Sequence, residues 1–282
     1  MVIKGYLCNM YNTKIMKTFL ITFSPTGTSR KVGEAIARGI DPECIVYDYM
    51  KGRCAITVPA GAVAVFSVPV YGGHVAPPAS EWIKNISGEG AMAVATVVYG
   101  NRDYENALVE LGDMLRARGF RIAGGATFVG EHSYSTARFP IAAGRPDCCD
   151  LEQALRFGAA LKEKMLRGSV DDIDLSTIVH TENPAAATAR FYEGVMKIRS
   201  SGTVPRTPVV DEAGCVHCGR CVAVCPMGAI TEGNECHTDA GRCIDCCACV
   251  KACATGARTY DTPFAPLLSE CFGEQKPNHT IL

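Results

Sequence analysis

The chain has 282 residues, a formal charge of −1 and 48% hydrophobic residues. This excludes a disordered protein and gives no support for a nucleic-acid binder held by a basic face. Ten of its 16 cysteines fall between Cys215 and Cys253, which excludes a disulfide scaffold spread over the fold and points to a local metal site.

The N-terminal apolar stretches are broken by Lys4, Asn9, Asn12 and Lys14, so no signal-peptide core forms. A flexible leader is expected over 1–16. No apolar run reaches the about 18 residues of a spanning helix. A cytoplasmic chain with reduced thiols follows as the expectation. From residue 17 strand and helix patterns alternate. Residues 17–23 read as a buried strand and 24–29 as a turn. Residues 29–39 read as a helix with Val32, Ala35, Ile36 and Ala37 on its apolar side. Strands follow over 44–49 and 62–70. The stretch between them is short for a crossover helix, so that helix is minimal or absent.

A helix opening at Pro77 and Pro78 covers 78–86. A strand is expected over 91–100, a long helix over 101–119 and a fifth strand over 120–129. A loop then runs over 130–149 before a helix at 150–168. Five near-continuous apolar strands alternating with helices predict an α/β domain over 17–166. Its core is a doubly wound five-stranded parallel sheet, covered on both faces. Residues 167–208 read as a linker holding a helix at 187–201, then an extended proline-bearing connector. A cysteine-rich domain is expected over 209–259. A tail follows over 260–282, with a short helix packing back on the main domain.

The strongest signal is a duplication. Residues 215–231 and 243–259 align at an offset of 28, sharing four cysteines each and the pairs Val222/Val250, Gly228/Gly256, Ala229/Ala257 and Thr231/Thr259. Each half has Cys-x2-Cys-x2-Cys-x3-Cys spacing. Three cysteines on one loop reach three irons of a cubane, and the fourth ligates the other cluster. The rule assigns Cys215, Cys218, Cys221 and Cys253 to one 4Fe–4S cluster. Cys243, Cys246, Cys249 and Cys225 go to the second. Two zinc sites are the alternative, but zinc ligand pairs usually stand far apart along the chain. Cys247 falls opposite Gly219, a non-ligand position, so Cys247 and Cys236 are expected to be bystanders. Ala254 stands where the first half has Pro226. Residues 211–256 closely resemble the bacterial two-cluster ferredoxins.

The turn after the first strand offers the hydroxyls of Ser24, Thr26, Thr28 and Ser29, the flexible Gly27 and free helix N–H groups. It has neither the Gly-Lys-Ser/Thr ending of a P-loop nor the glycine fingerprint of dinucleotide sites. A terminal monophosphate, as in FMN, fits it better; a capped helix start without ligand is the plainer reading. The third and fourth strands end in loops with Pro69, Tyr71, Gly72 and Gly73, and with Tyr99, Gly100, Asn101 and Tyr104. These lie on the same sheet edge, where ligands of open α/β sheets sit. Tyr71, Tyr99 or Tyr104 would stack on an isoalloxazine, and Gly72, Gly73, Gly100 and Asn101 would offer amides to its polar edge. Glu131 and His132 open the long loop, as proton gates or, more plainly, as hydrogen-bonded loop anchors.

Residues 17–166 look like the flavodoxin superfamily, with Thr28 and Ser29 where its phosphate turn has Asn and Thr. The stretch 17–280 resembles the flavodoxin–ferredoxin fusion proteins of anaerobic bacteria and archaea: an FMN-binding flavodoxin-like domain with a small α+β two-cluster ferredoxin domain. The resemblance implies FMN binding and electron transfer but names no partner.

The reading that follows is an electron-transfer flavo-iron–sulfur protein relaying electrons between FMN, two 4Fe–4S clusters and external redox proteins. Residues 211–256 hold six acids against three Lys/Arg. Partners are therefore expected to dock at this acidic ferredoxin end in a salt-dependent way. One alternative is a flavin-dependent reductase of a small molecule or quinone held under the 130–149 loop. Another is a non-enzymatic protein with structural clusters and an empty flavin site. Donor, acceptor, potentials and oligomeric state have no sequence signal.

Overall fold

The structure, a computed structural model, describes residues 16–50, 54–168 and 171–282. All of the expected leader except Met16 lies outside them. Five of the sheet's seven strands are parallel: β1 (Thr18–Thr22), β2 (Ile45–Asp48), β3 (Val63–Tyr71), β4 (Met92–Tyr99) and β5 (Arg121–Val129), with His74–Val75 paired antiparallel to the end of β3. The spatial order of the five is β2–β1–β3–β4–β5, the flavodoxin-like order of doubly wound folds. Leu20 stands beside Val65 and Val65 beside Val94. A bulge between Ala93 and Val94 shifts the β4–β5 register.

Helices α1 (Thr28–Ile40) and α4 (Cys148–Leu166) cover one face of the sheet. Val32, Ile36, Phe157 and Leu161 are buried there against Leu20 and Val65. The other face carries α2 (Pro77–Ile83) and α3 (Ala107–Ala117), with Trp82, Leu108 and Leu111 in the larger core cluster. Burial of whole Leu, Ile and Phe side chains at about 1.5–3 kcal/mol each drives this layering. No helix bridges β2 and β3 among the described residues. Ile56–Thr57 instead pairs in parallel with Ile86–Ser87.

Helix α3 begins at Ala107, six residues later than the sequence pattern placed it. Asn101 and Glu105 adopt left-handed backbone, with φ of 66° and 43°. Asp103 Oδ1 accepts from Glu105 N at 2.8 Å. That Asx-type turn holds 101–106 out of helix.

Residues 171–184 pack along the sheet domain. Ile173 N donates to Ile122 O at 2.9 Å, Leu175 is buried, and Asn183 Nδ2 donates to Arg102 O at 2.8 Å. Helix α5 follows over Ala185–Ser201. The cysteine-rich segment opens with β6 (Val209–Val210) and contains the single-turn helices α6 (Arg220–Ala223) and α7 (Ala248–Lys251). It closes with β7 (Arg258–Thr259), antiparallel to β6. The duplication extends to the backbone. His217, Gly219 and Gly228 have φ of 49°, 70° and 57°, and their counterparts Asp245, Cys247 and Gly256 have 53°, 57° and 71°.

The tail does more than the short helix expected of it. Helix α8 (Phe264–Cys271) packs on α5 in a buried cluster of Phe191, Leu268 and Phe272 that also takes in Ile141 of the long loop. The chain then adds β8 (His279–Ile281) antiparallel to β5, extending the sheet by an edge strand. Asn278 fixes this return: its Nδ2 donates to Asp150 Oδ1 at 2.7 Å, and its Oδ1 accepts from Val129 N at 2.9 Å. The buried Arg145 guanidinium pairs with Asp150 and donates to Lys276 O at 2.8 Å. Burial alone would raise the Asp150 carboxyl, but the Arg145 and Asn278 hydrogen bonds hold it below its ordinary range.

Candidate functional site

A cavity of about 280 Å³ opens at the carboxyl edge of the sheet, past the neighbouring strands β1 and β3, whose following helices α1 and α2 lie on opposite faces. This is the topological switch point at which open α/β sheets hold ligands. Ser24, Thr26, Thr28 and Ser29 form its floor, and Pro69, Tyr71, Gly72, Tyr99 and Gly100 contribute to its walls.

The floor is built by a tight turn. Gly27 N donates to Ser24 O at 3.1 Å, and Gly27 takes φ 86°, a conformation that favours glycine. Ser24 Oγ accepts from Arg30 N at 3.0 Å, leaving its O–H free to donate. Ser29 Oγ is buried without a hydrogen-bond partner. A buried hydroxyl costs free energy while unpaired. At a helix N-terminus, beside amides with no partner inside the helix, it suits an anionic oxygen. These residues fit a phosphate monoester.

The walls are aromatic. Burial, with Cys246 and Tyr134 nearby, raises the Tyr71 phenol well above its ordinary pKa, so it stays neutral. At Gly100 a Cβ would collide with the His132 ring. His132 Nδ1 accepts from Tyr134 N at 3.0 Å. Burial, then Arg102 and Lys251, pushes its pKa down to about 4. The ring is thus neutral near pH 7, with its proton on Nε2. Glu131 anchors the loop: Oε2 accepts from Gly144 N at 3.1 Å and Oε1 from Lys251 Nζ at 2.9 Å.

Four of the expected flavin-site residues do not line the cavity. Gly27 shapes the turn from behind, and Gly73 packs against the Glu105 side chain. Asn101 is fully buried, with Nδ2 donating to Phe272 O and Glu274 O at 2.7 Å each. Its amide is thereby committed to the tail. Tyr104 is buried between Tyr99 and His180, with ring centroids at 5.4 and 4.9 Å. The structure adds Tyr134, Ile244, Asp245 and Cys246 to the lining. Tyr134 lies in a stretch already marked by its loop; the other three come from the cysteine-rich segment, and no local signal could have placed them here.

Two further cavities lie among the cysteines. One, of about 190 Å³, is lined by Cys215, Cys218, Cys221 and Cys253 together with Arg220 and Arg258. The other, of about 20 Å³, is lined by Cys225, Cys243, Cys246 and Cys249 together with Cys247. Each cavity collects three cysteines from one half of the duplication and one from the other. Ala229 N donates to Cys225 Sγ at 3.2 Å, and Arg258 Nη1 to Cys249 Sγ at 3.6 Å. Such donors stabilise sulfur carrying negative charge. Cys236 lies outside both linings, but its Sγ comes within 4.8 Å of the ligand atoms of Cys215 and His217. Cys247 occupies the left-handed start of α7, where the other half has Gly219 at α6.

Residues 208–231 match the family of 4Fe-4S binding domains. No curated protein matches the chain. Among solved structures, a flavodoxin from the domain Archaea shares 16% identity over 54% of this chain and 99% of its own, with a TM-score of 0.38. The flavodiiron core Flv1 from Synechocystis sp. PCC6803 shares 16% over 55% of this chain and 37% of its own, with a TM-score of 0.40. The rubredoxin oxygen:oxidoreductase of the anaerobe Desulfovibrio gigas shares 15% over 53% and 37%, with a TM-score of 0.34. Among the described residues no helix is long and apolar enough to cross a membrane. The chain thus joins an α/β sheet of flavodoxin-like strand order to a cysteine-rich segment that matches the 4Fe-4S binding family over 208–231.

Proposed function

We propose that this chain is an electron-transfer protein that binds FMN at the sheet edge and two 4Fe–4S clusters in its cysteine-rich segment. FMN exchanges electrons singly or in pairs and each cluster exchanges one, so together they link one- and two-electron partners. The observation that carries the reading is the position of Cys246. It lines both the sheet-edge cavity and the cavity of Cys225, Cys243 and Cys249.

The phosphate end of FMN would lie on Thr26, Thr28 and Ser29, with Tyr71 and Tyr99 beside the ring. Cys215, Cys218, Cys221 and Cys253 would hold the cluster remote from the flavin, and Cys243, Cys246, Cys249 and Cys225 the near one. Cys218 and Val216 are exposed, so the remote cluster has the better access to external redox proteins. Those partners would present basic surfaces to this acidic segment.

Cofactor analysis tests the reading. Anaerobically purified protein should contain about eight irons, following from two four-iron sites, and denaturation should release one FMN per chain. Iron without flavin would leave only a ferredoxin-type carrier; flavin without iron would remove the relay.

A further inference from the structure

A second cavity, of about 250 Å³, lies beside the flavin-type one, and the reading above leaves it without a role. It sits between the 133–139 stretch of the long loop, helix α7 and the chain after β7. Ser133 and Tyr134 belong to both cavities. We propose that it is a binding site for a planar quinone. The redox class of that ligand rests on the electron-transfer reading; the cavity and its chemistry do not.

The shape comes from aromatic walls. The Tyr134 and Tyr260 rings line the cavity with centroids 5.5 Å apart and planes at 49°. Phe139, Val250 and Ala265 complete the apolar surface. A cavity of about 150 Å³ holds one benzene ring, so the larger volume here accommodates two fused rings. Tyr260 Oη already donates to Pro205 O at 3.1 Å, which holds its ring in place as a wall.

The polar groups are mainly donors, as quinone carbonyls require. Lys251 Nζ donates to Glu131 Oε1 and Ser135 O at 2.9 Å each. An ammonium has three protons, so one remains. Arg138 stacks over Phe139, its Cζ 5.0 Å from the ring centroid, and has no carboxylate partner among the described residues. The hydroxyls of Thr136 and Thr259 stand in the same lining. Asp261 is its one carboxylate. Cys247 is buried in the lining and also lines the near cysteine cavity, so a ligand here adjoins both that cavity and the flavin-type one.

The test uses the full-length, cofactor-loaded protein and equilibrium dialysis with 2,3-dimethyl-1,4-naphthoquinone, whose blocked ring positions prevent addition of cysteine thiols. Saturable one-to-one binding is expected, undiminished by excess FMN. The carbonyl-free 2,3-dimethylnaphthalene should bind at least tenfold more weakly. Ala265→Trp, which fills the cavity, should weaken binding at least tenfold. Arg138→Ala, at an exposed position that keeps the fold, should weaken it several-fold. Absence of saturable binding to protein with full flavin and iron content overturns the quinone site and leaves the electron-transfer reading intact. Displacement by FMN, or equal affinity for the two probes, also overturns it. Quinone binding by protein that takes up neither flavin nor iron supports the site and removes the electron-transfer reading.

Discussion

Lys251 Nζ lies 2.9 Å from Glu131 Oε1, an ion pair that joins the cysteine-rich segment to the loop roofing the sheet-edge cavity. Burial alone would raise the Glu131 carboxyl, but the Lys251 hydrogen bond and the Gly144 amide hold it below its ordinary range. Both side chains are partly exposed, so the pair stabilises the fold by less than about 1 kcal/mol. Lys251→Ala should therefore leave the urea midpoint almost unchanged. Its effect should be local, with lower amide-exchange protection over 131–145 and 243–251. Equal protection in variant and parent would show that other contacts hold the segment.

Ser29 offers a sharper test of the phosphate floor. Its hydroxyl is buried and unpaired, so Ser29→Ala should leave the ligand-free protein as stable or slightly more so. With FMN the sign reverses. A hydrogen bond to a charged group contributes about 1.5–3 kcal/mol, so affinity should fall at least tenfold when followed by flavin fluorescence quenching. Unchanged affinity would remove Ser29 from the phosphate site.

The crossed cysteine sets separate by paired substitution. Cys215→Ser with Cys253→Ser removes two ligands of one proposed cluster, so one intact cluster and about four irons should remain. Cys215→Ser with Cys225→Ser damages both, and neither cluster should be intact by electron paramagnetic resonance. Uncrossed ligation would reverse this contrast between Cys253 and Cys225.

Arg145 and Asp150 make a buried ion pair under the returning tail. Removing one partner leaves an uncompensated charge, at a cost of about 3–5 kcal/mol. Asp150→Ala should show that loss in urea unfolding. Arg145→Met with Asp150→Leu should recover much of it, because the penalty belongs to the orphaned guanidinium.

His132 supplies the pH dependence. Its folded pKa of about 4 lies below the ordinary 6.5, so the unfolded chain binds the extra proton between those values. Stability should fall as pH drops from 6.5 towards 4, and His132→Gln should flatten that slope. In an NMR titration its imidazole should stay neutral from pH 7 to pH 5. A midpoint near 6.5 would place the ring in solvent.

The strands were legible because each is a run of apolar residues between turn signals, as in β3 and β4. Which of the expected residues line the sheet-edge cavity follows from range along the chain. Ser24, Thr26, Thr28 and Ser29 are a local turn, and the turn chemistry alone brings them together. Asn101 and Tyr104 lie in the same loop after β4 as Gly100, yet the tail claims one and His180 packs on the other. Those partners lie far along the chain, where no periodicity reaches. Strand β8 has three residues, too few to show a pattern. The approach of Asp245 and Cys246 to Tyr71 depends on how two units fit, which spacing within either does not encode.

The return of the chain as β8 changes the status of the cysteine-rich segment. It leaves the sheet domain through α5 and re-enters it through α8 and β8, so it is an insertion moored at both ends. A single proteolytic nick in the 203–208 stretch would not release it while Asn278 and Arg145 hold the tail. Traffic between its two metal-type cavities and the sheet edge would run at a fixed separation, without a search through solution, and would be insensitive to dilution of the protein.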